Sequence, residues 1–583
     1  MQQAPSKTPF WAVWLSIVAW IGLATGIAEG IVRVIARWYP LIRAAHKVSN
    51  DILWVAAIVD VLAFILIGLV LLPVAVWLRR RSWMLWGGAV LAGFGAFLVI
   101  TAPGVVSRYG SLTLALGCGV MFYRMFVGRN ERLESLRSRA WMIPVIVLIL
   151  WAGVNANRYV REEWAMRQIP PAAAGARNSL VIVLDTVRAD RFFNLLGAGK
   201  LPHMKQLASR GMVYTNAWST SSWSPPGHGS ILTGRLPEEH KVDWPTMRQD
   251  HRYPSLAEFY LSKGYWTGAF SGNAAWITPE YVGAGFARFR AYILENLVRR
   301  TRLGLKFDET LSERLGIHTS GRGKKAPQIR EELTSFLERQ PERPFFTYLC
   351  FMDVNQAFHN RRINLKGTLP EILADYDAAL VSVDEVIGGI LQDLRERGKL
   401  ENTDIVIASD HGESFDTQNP GDHHPDGHGT SLYREQQAVP MIVVGAGVAP
   451  GVNHEAVSIQ QIPQTLMSMQ KWSHSPFVGA PLPLSAMSAA EPCVFADLQE
   501  HVSKAAHSVT YNSWRFLEHF KNGLELKLGP ELYNTTSDHL ESKNLAGDPS
   551  AAEVLATMRA QARDFEKTGT GVPCRILPSM QGR

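Results

Sequence analysis

The first 156 residues carry apolar runs that leave the chain little choice of structure. Trp11–Val32, Ile52–Leu78 and Trp83–Val106 are each long enough to cross a hydrocarbon layer ~30 Å thick. In lipid, backbone N–H and C=O groups must be paired within the segment, so these runs are expected as helices. Leu112–Val127 and Trp141–Val154 are shorter; counting both gives about five spans, and four is the alternative. The first run is not expected to be a cleaved leader, because no small-residue cleavage site follows it and further spans do. Glu29 and Asp60 fall inside or near the ends of spans, where a carboxylate faces the bundle or water, for helix packing or for substrate handling.

Charge gives the orientation. Lys7, Arg79, Arg80, Arg81, Arg129, Arg132, Arg137 and Arg139 fall on one side. Arg33, Arg37, Arg43, Lys47, Arg108, Arg158 and Arg161 fall on the other. The triple arginine in a tight loop favours the cytoplasm for the first set, which with five spans puts the rest of the chain outside. Residues 157–177, with Pro170-Pro171 and an alanine run, read as a linker. A net charge of +7 over 583 residues is modest and its arginines are scattered or flank apolar spans, so no nucleic-acid partner is expected. Of four cysteines, Cys118 and Cys350 lie in apolar segments and read as buried thiols, while Cys493 and Cys574 could pair outside the cytoplasm.

After the linker the composition is that of a globular α/β protein. Leu180–Leu184, Gly264–Phe270, Pro344–Phe351, Thr403–Ser409 and Pro440–Val444 are short apolar, largely β-branched or aromatic runs that predict buried strands. Helical patterns at Leu201–Ala208, Tyr253–Lys263 and Tyr376–Arg397 alternate with them. Three of the strands end in acidic residues: Asp185, Asp353 and Asp410-His411. Open α/β sheets bind ligands beyond the carboxyl ends of their strands. Each step taken alone also fits a helix cap or a strand-ending turn.

Between them lies Ser222-Trp223-Ser224-Pro225-Pro226-Gly227-His228-Gly229-Ser230-Ile231-Leu232-Thr233-Gly234, a hydroxyl-bearing turn that enters a buried helix. Proline fixes its φ and glycine admits close backbone approach, although Ser224 as an N-cap accounts for the same pattern. Two carboxylates, an imidazole and a hydroxyl suit a divalent cation with mixed oxygen and nitrogen ligation. Such an ion lowers the pKa of the hydroxyl and makes Ser224 a nucleophile.

In this order the segments Val183–Asp190, Ser224–Gly234, Phe351-Met352-Asp353, Tyr376–Asp384, Ser409–Glu413, His428–Tyr433 and Glu531–Ala546 resemble the sulfatase family of the alkaline phosphatase superfamily. The resemblance implies a mixed sheet between helices over residues 178–490 and a small α+β C-terminal subdomain with a tail over 491–583. It implies one divalent metal ion (calcium, manganese, magnesium or zinc) held by Asp185, Asp410, His411 and Ser224. It also gives Ser224 as nucleophile, His428 and His228 as further catalytic residues, and Asn355 and His240 as substrate contacts. The chain departs from the family in carrying Ser224-Pro225-Pro226-Gly227-His228 where sulfatases carry a Cys/Ser-x-Pro-x-Arg signature for conversion to formylglycine. Thr186 replaces their second acidic ligand, and Asn355 their substrate histidine.

The Ser-x-Pro-x-His form is similar to nucleotide pyrophosphatase/phosphodiesterases, and spans joined to such a domain resemble lipoteichoic acid synthases and phosphoethanolamine transferases. The expected function is membrane-anchored cleavage of a sulfate ester on a glycan or lipid head group. The alternatives are phosphodiester cleavage or head-group transfer by unmodified Ser224, and a non-catalytic membrane binding protein with a degenerate site.

Overall fold

The computed structural model describes residues 9–37, 39, 48–78, 81–244, 248–307, 323–364, 366–415, 422–423, 427–485, 493–500, 503–521, 524–525 and 529–568. The chain forms two compact units, Met1–Trp164 with Tyr292–Thr319, and Ala165–Ala291 with Ser320–Arg583.

The first unit is helical: α1 (Phe10–Ala36), α2 (Ile52–Leu78), α3 (Arg81–Thr101), α4 (Arg108–Phe126), α5 (Asn130–Ser138) and α6 (Met142–Gln168). Phe10–Ala36, Ile52–Val74, Ser82–Thr101 and Met142–Gln168 are long and apolar enough to cross a membrane. A fifth span arises if α4 and α5, bent by 99° at Val127–Arg129, count as one. Gly128 at φ 71 makes that break.

α1 packs on α2 through Gly22, Gly26 and Gly30, four residues apart on one face. A Cβ at Gly26 would stand 2.4 Å from Ala56 O, and one at Gly22 2.8 Å from Asp60 O. Small residues at this spacing let two backbones approach where no hydrophobic effect drives helices together. Glu29 accepts from Arg33 Nε and from Arg302 N, both at 2.7 Å. Thus Tyr292–Thr319, inside the expected 178–490 domain, belongs to the helical unit. α6 runs to Gln168, so the stretch expected as a linker is helical in its first half. It has strong helix formers up to Gln168, and Pro170 then disfavours helix at Ile169. Cys118 on α4 is free but exposed, not buried, while Cys350 is free and buried as expected. Cys493 is disulfide-bonded; Cys574 lies outside the described residues.

The second unit is built on a nine-stranded mixed sheet. Its strands are β1 (Asn178–Leu184), β2 (Met212–Trp218), β3 (Trp266–Ser271), β4 (Arg288–Arg290), β5 (Phe345–Phe351), β6 (Thr403–Ser409), β7 (Ala438–Val444), β8 (Gly451–Asn453) and β9 (Val457–Ser458). The order is β4-β3-β5-β1-β6-β7-β2-β8, with β9 beside β2. β3, β5, β1 and β6 are parallel, and β7 runs antiparallel to both β6 and β2. Alternate residues of β1 feed two cores: Val181 and Val183 join Tyr348, Val406 and Ala408 on one face, and Leu180, Ile182 and Leu184 join Leu349 and Ile407 on the other. Burial on both faces is why these strands read as continuous apolar runs.

The register matters for chemistry. Leu184 lies opposite both Phe351 and Ser409, so β1 and β6 end level and release Asp185 and Asp410 side by side. On β5 the level residue is Met352. Asp353 therefore falls one step further on, in the helix Asp353–His359.

A second, antiparallel sheet of β10 (Val494–Glu500), β11 (Ser503–Tyr511), β12 (Trp514–Lys521), β13 (Leu524–Glu525) and β14 (Glu531–Asn534) packs under the helix Ala552–Thr568. Val554, Met558, Ala562 and Phe565 form the apolar stripe of that helix against Phe495 and Phe516. His423 clamps this subdomain to the larger sheet: its backbone N–H donates to Glu435 (2.9 Å), and its ring meets the Glu435 carboxylate (3.3 Å) and Glu541 O (3.1 Å). Burial opposes charging the ring, but the Glu435 hydrogen bond outweighs it and raises His423 to about 9.

A group raised in the folded state stabilises fully below its unfolded pKa of about 6.5, and that stabilisation is lost as pH rises through about 9. We expect unfolding free energy to fall by about 1–2 kcal/mol between pH 6.5 and 9.5, the ring being only partly screened from solvent. His423→Gln should flatten that slope in denaturant titrations across the range; an unchanged slope would remove the clamp.

Candidate active site

Ser224 opens the helix Ser224–Thr233 after Trp223, whose φ of −151° and ψ of 163° make it the extended N-cap. Pro225 and Pro226 fill the first turn, where a missing N–H costs nothing. At Gly227 a Cβ would stand 2.6 Å from Asp410 O, so glycine lets the first turn press on the end of β6. Ser224 Oγ lies 3.1 Å from His411 Nε2. The other ring nitrogen of His411 donates to Gly412 O (2.8 Å), which fixes the tautomer with the Nε2 lone pair toward the serine.

Both carboxylates are fully buried. Asp410 Oδ1 accepts from Thr186 N (3.2 Å) and His411 N (3.0 Å), and Asp185 Oδ2 from Asn273 Nδ2 (2.9 Å). Among the described residues, Asp185 Oδ1 and Asp410 Oδ2 have no hydrogen-bond partner. Burial, reinforced by the Asp410 charge, pushes Asp185 well above the usual carboxylate range. Burial acts the same way on Asp410, but the His411 and His228 imidazoles outweigh it and hold that carboxyl low. Burial lowers His411 to about 4, which keeps its lone pair free. Ligand atoms of Asp185, Asp410 and His411 all lie within 4.8 Å of one another. Two orphaned buried oxygens, a neutral imidazole nitrogen and a hydroxyl form a donor set that fits a divalent cation.

The structure brings Asp185, Ser224, Asp410 and His411 together, with His428 against them: the His411 and His428 ring centroids are 4.4 Å apart. His428 Nδ1 meets both oxygens of Glu413, at 3.0 and 3.1 Å. Burial opposes its charging, yet the Glu413 carboxylate raises His428 to about 9. His228 lies beneath the serine, fully buried, with Nδ1 on Tyr348 Oη and Nε2 3.1 Å from Asp410 Oδ2, a contact poorly aligned for a hydrogen bond. From there it steadies Asp410.

His240 stands apart from the cluster. It is fully buried behind the serine helix, with Nε2 3.2 Å from Ser230 Oγ and Nδ1 accepting from Val242 N at 3.0 Å; burial lowers it to about 3. Its ring occupies the space a side chain at Gly229 would need (Nε2 at 2.8 Å), which is a packing role. Asn355 is buried on the helix Asp353–His359. Asp353 does not reach Asp185 and Asp410. Its carboxylate accepts from Ala326 N (3.0 Å) and caps the helix Ala326–Arg339.

Thr186 turns away from the cluster, its Oγ1 donating to Asp185 O (2.7 Å), and sits at φ 64, a strained region for a β-branched residue. Tyr376 Oη holds it there by donating to Thr186 O (2.7 Å) while accepting from Arg188 N (2.9 Å).

Sequence reasoning missed Asn273 and gave Glu413 no role. Asn273 stands two residues past the end of β3, next to β5, so a weaker form of the signal that singled out Asp185 was present: a polar residue close after a buried strand. Asn273 Oδ1 also accepts from Trp276 N (3.0 Å), tying the Asp185 contact to the following loop.

A hydroxyl at a helix start, paired carboxylates and an imidazole on the carboxyl edge of this mixed sheet define a hydrolase of the alkaline phosphatase superfamily. Within it, the chain belongs to the sulfatase family, whose model ("Sulfatase") matches residues 177–470. Among curated relatives, N-sulphoglucosamine sulphohydrolase of Homo sapiens is 23% identical over 490 residues, covering 67% of this chain and 90% of that protein. Choline-sulfatase of Rhizobium meliloti (strain 1021) is 20% identical over 460 residues, covering 66% and 85%. Among solved structures, the phosphonate monoester hydrolase of Agrobacterium radiobacter superposes with a TM-score of 0.52 at 18% identity, covering 69% of this chain and 100% of that one. A protein solved with its substrate D-glucosamine-2-N,6-O-disulfate superposes with a TM-score of 0.52 at 15% identity, covering 67% and 98%. At these identities the structures show the shared fold.

Proposed function

We propose that this chain is a membrane-anchored, divalent-metal-dependent hydrolase of sulfate esters that works through the oxygen of Ser224. The observation that carries the reading is Ser224 Oγ set 3.1 Å from His411 Nε2, beside two buried carboxylate oxygens without partners among the described residues. Asp185, Asp410, His411 and Ser224 would hold the cation, which would lower the hydroxyl pKa and offset charge on the ester. The membrane part rests on the four apolar helices; with the bent α4–α5 pair counted as a fifth span, the arginine distribution favours a site outside the cytoplasm.

In the first step the Ser224 hydroxyl loses its proton to solvent, its oxygen bonds to the ester sulfur, and the sulfur–oxygen bond to the alcohol breaks. The imidazolium of His428, charged through Glu413, gives its proton to the departing alkoxide. Water then attacks the sulfur and the Ser224 O–sulfur bond breaks; one water proton goes to neutral His428 and the other to the Ser224 oxygen, releasing sulfate and restoring the hydroxyl. His428→Gln is expected to lower kcat by about 10²–10⁴-fold, more for alkyl than for nitrophenyl leaving groups, which need no proton. The acid form is required, so wild-type kcat/KM should fall as pH rises toward about 9. A bound cation nearby would shift that limb lower, and His428→Gln should abolish it. A limb that survives in His428→Gln belongs to another group.

A phosphate ester is the second reading. It is favoured by His228, buried where the family signature has arginine, and by a serine in the unmodified Ser-x-Pro-x-His form. Steady-state rates of the detergent-purified full chain on 4-nitrophenyl sulfate and 4-nitrophenyl phosphate, with the mass of the peptide containing Ser224, decide between them. Metal-dependent sulfate turnover with a sulfated serine at 224 supports the first reading, and phosphate turnover with a serine phosphoryl adduct the second; formylglycine at 224 would keep the sulfate ester as substrate but overturn the serine-ester scheme. No metal-dependent turnover of either ester would refute both.

A further inference from the structure

Within the helical unit, α1, α2 and α6 leave a lateral cavity of about 780 Å³ that the hydrolytic reading does not use. Ala12, Leu15 and Ala19 of α1, Ile58 and Leu62 of α2 and Val147 of α6 line it. On α2 the lining runs from Trp54 to Ile65 and on α6 from Ile143 to Trp151, with Ala140 just ahead of that helix. At 1.5 Å per residue these stretches are about 16 and 12 Å long, close to the hydrocarbon depth of one leaflet of a ~30 Å core. One turn beyond Trp54 the groove meets charge. Asp51 accepts from Trp54 Nε1 (3.1 Å) and pairs with Arg158 of α6, whose side chain remains one-third exposed. An apolar slot one leaflet deep, with tryptophan and a cation at its mouth, has the chemistry of a lipid molecule: a chain along the helices and an anionic head group against arginine.

We infer that this groove binds one acyl chain of an anionic membrane lipid, with its phosphate at Arg158. The inference rests on the membrane placement proposed above. Both tails of a head group cannot enter a single slot, so the second chain stays in the surrounding lipid.

The test reconstitutes the full chain in phosphatidylcholine vesicles containing a trace of phosphatidylglycerol with a diazirine in mid-chain, and maps photolabelled residues by mass spectrometry. Expected is labelling of Ile58 and Val147 about tenfold above that of Leu66, Leu69 and Val70, exposed residues of α2 outside the groove, equivalent to about 1.4 kcal/mol of preference. Val147→Trp, which fills the slot, should remove the excess while leaving Leu69 and Val70 labelled. Arg158→Gln should abolish any preference for the phosphatidylglycerol probe over a phosphatidylcholine probe. Equal labelling of groove and outer face, or an excess that survives Val147→Trp, overturns the inference while membrane placement stands. Absence of label from Leu69 and Val70 as well overturns the placement and the groove site with it.

Discussion

Ser224→Ala is expected to lower kcat/KM for an aryl ester by at least about 10⁴-fold, because it removes the atom that bonds to the ester centre. The expectation is specific to chemistry. Ser224 is nearly fully buried, but among the described residues its hydroxyl meets only His411 Nε2. Its loss should therefore change the denaturant midpoint little, since a surrendered hydrogen bond is worth about 1 kcal/mol. Asp185, Asp410 and His411 still offer their ligand atoms in the variant, so it should retain bound metal at reduced affinity. Folded, metal-loaded and inactive protein is the outcome that assigns the serine. If Ser224→Ala kept activity within about tenfold of wild type, water would be attacking the ester directly and the covalent scheme would be abandoned.

Asp410→Asn is the second large effect. An amide oxygen at this position keeps an acceptor for Thr186 N and His411 N, so the backbone around the strand end should hold. What disappears is the charge that, with Asp185, makes the pair a cation site. Bound metal should drop from about one equivalent to a small fraction of one, and kcat/KM by about 10³-fold or more.

Stability gives an independent reading with a sign. In wild type, chelation should lower the unfolding free energy, by about 2.7 kcal/mol if metal had been present at a hundred times its Kd. Asp410→Asn should show no response to chelator. Stripped of metal, it should be somewhat less stable than stripped wild type, because the Asp410 charge that the His411 and His228 imidazoles favour in the folded protein is gone. Calorimetry of both proteins with and without chelator, beside elemental analysis, checks all three statements. Undiminished metal in Asp410→Asn would show that the cation, if any, sits elsewhere.

Much of the site was legible from local pattern. β1 and β6 are buried on both faces, so each reads as an apolar run, and the polar residue that ends the run marks the carboxyl edge of the sheet. That was sufficient to select Asp185, Asp410 and His411. The same logic applied to β5 selected Asp353, and there it failed. β5 ends level with β1, Phe351 opposite Leu184, but Met352 stands between its end and Asp353, and that extra residue made the carboxylate a helix cap instead of a neighbour of Asp185. His240 failed for a different reason. A histidine near a nucleophile in sequence can be behind it in space, and only the packing of its ring against Gly229 tells the two apart. Asn273 was overlooked because an uncharged amide after a strand is common, and its importance comes from the bond it makes to Asp185, 88 residues away.

The amino-acid sequence alone determined the long apolar helices of the first unit, the five most apolar strands of the second, and the residue types able to hold a cation and a nucleophile. Those follow from periodicity, run length and side-chain chemistry, which are local properties. Tertiary structure decided that β1 and β6 end level, that the His428 ring meets the Glu413 carboxylate, and that His228 lies under Asp410. It also assigned Tyr292–Thr319, flanked on both sides by the catalytic unit, to the helical unit. Each of these depends on contacts between residues distant along the chain, whose energies no local pattern encodes.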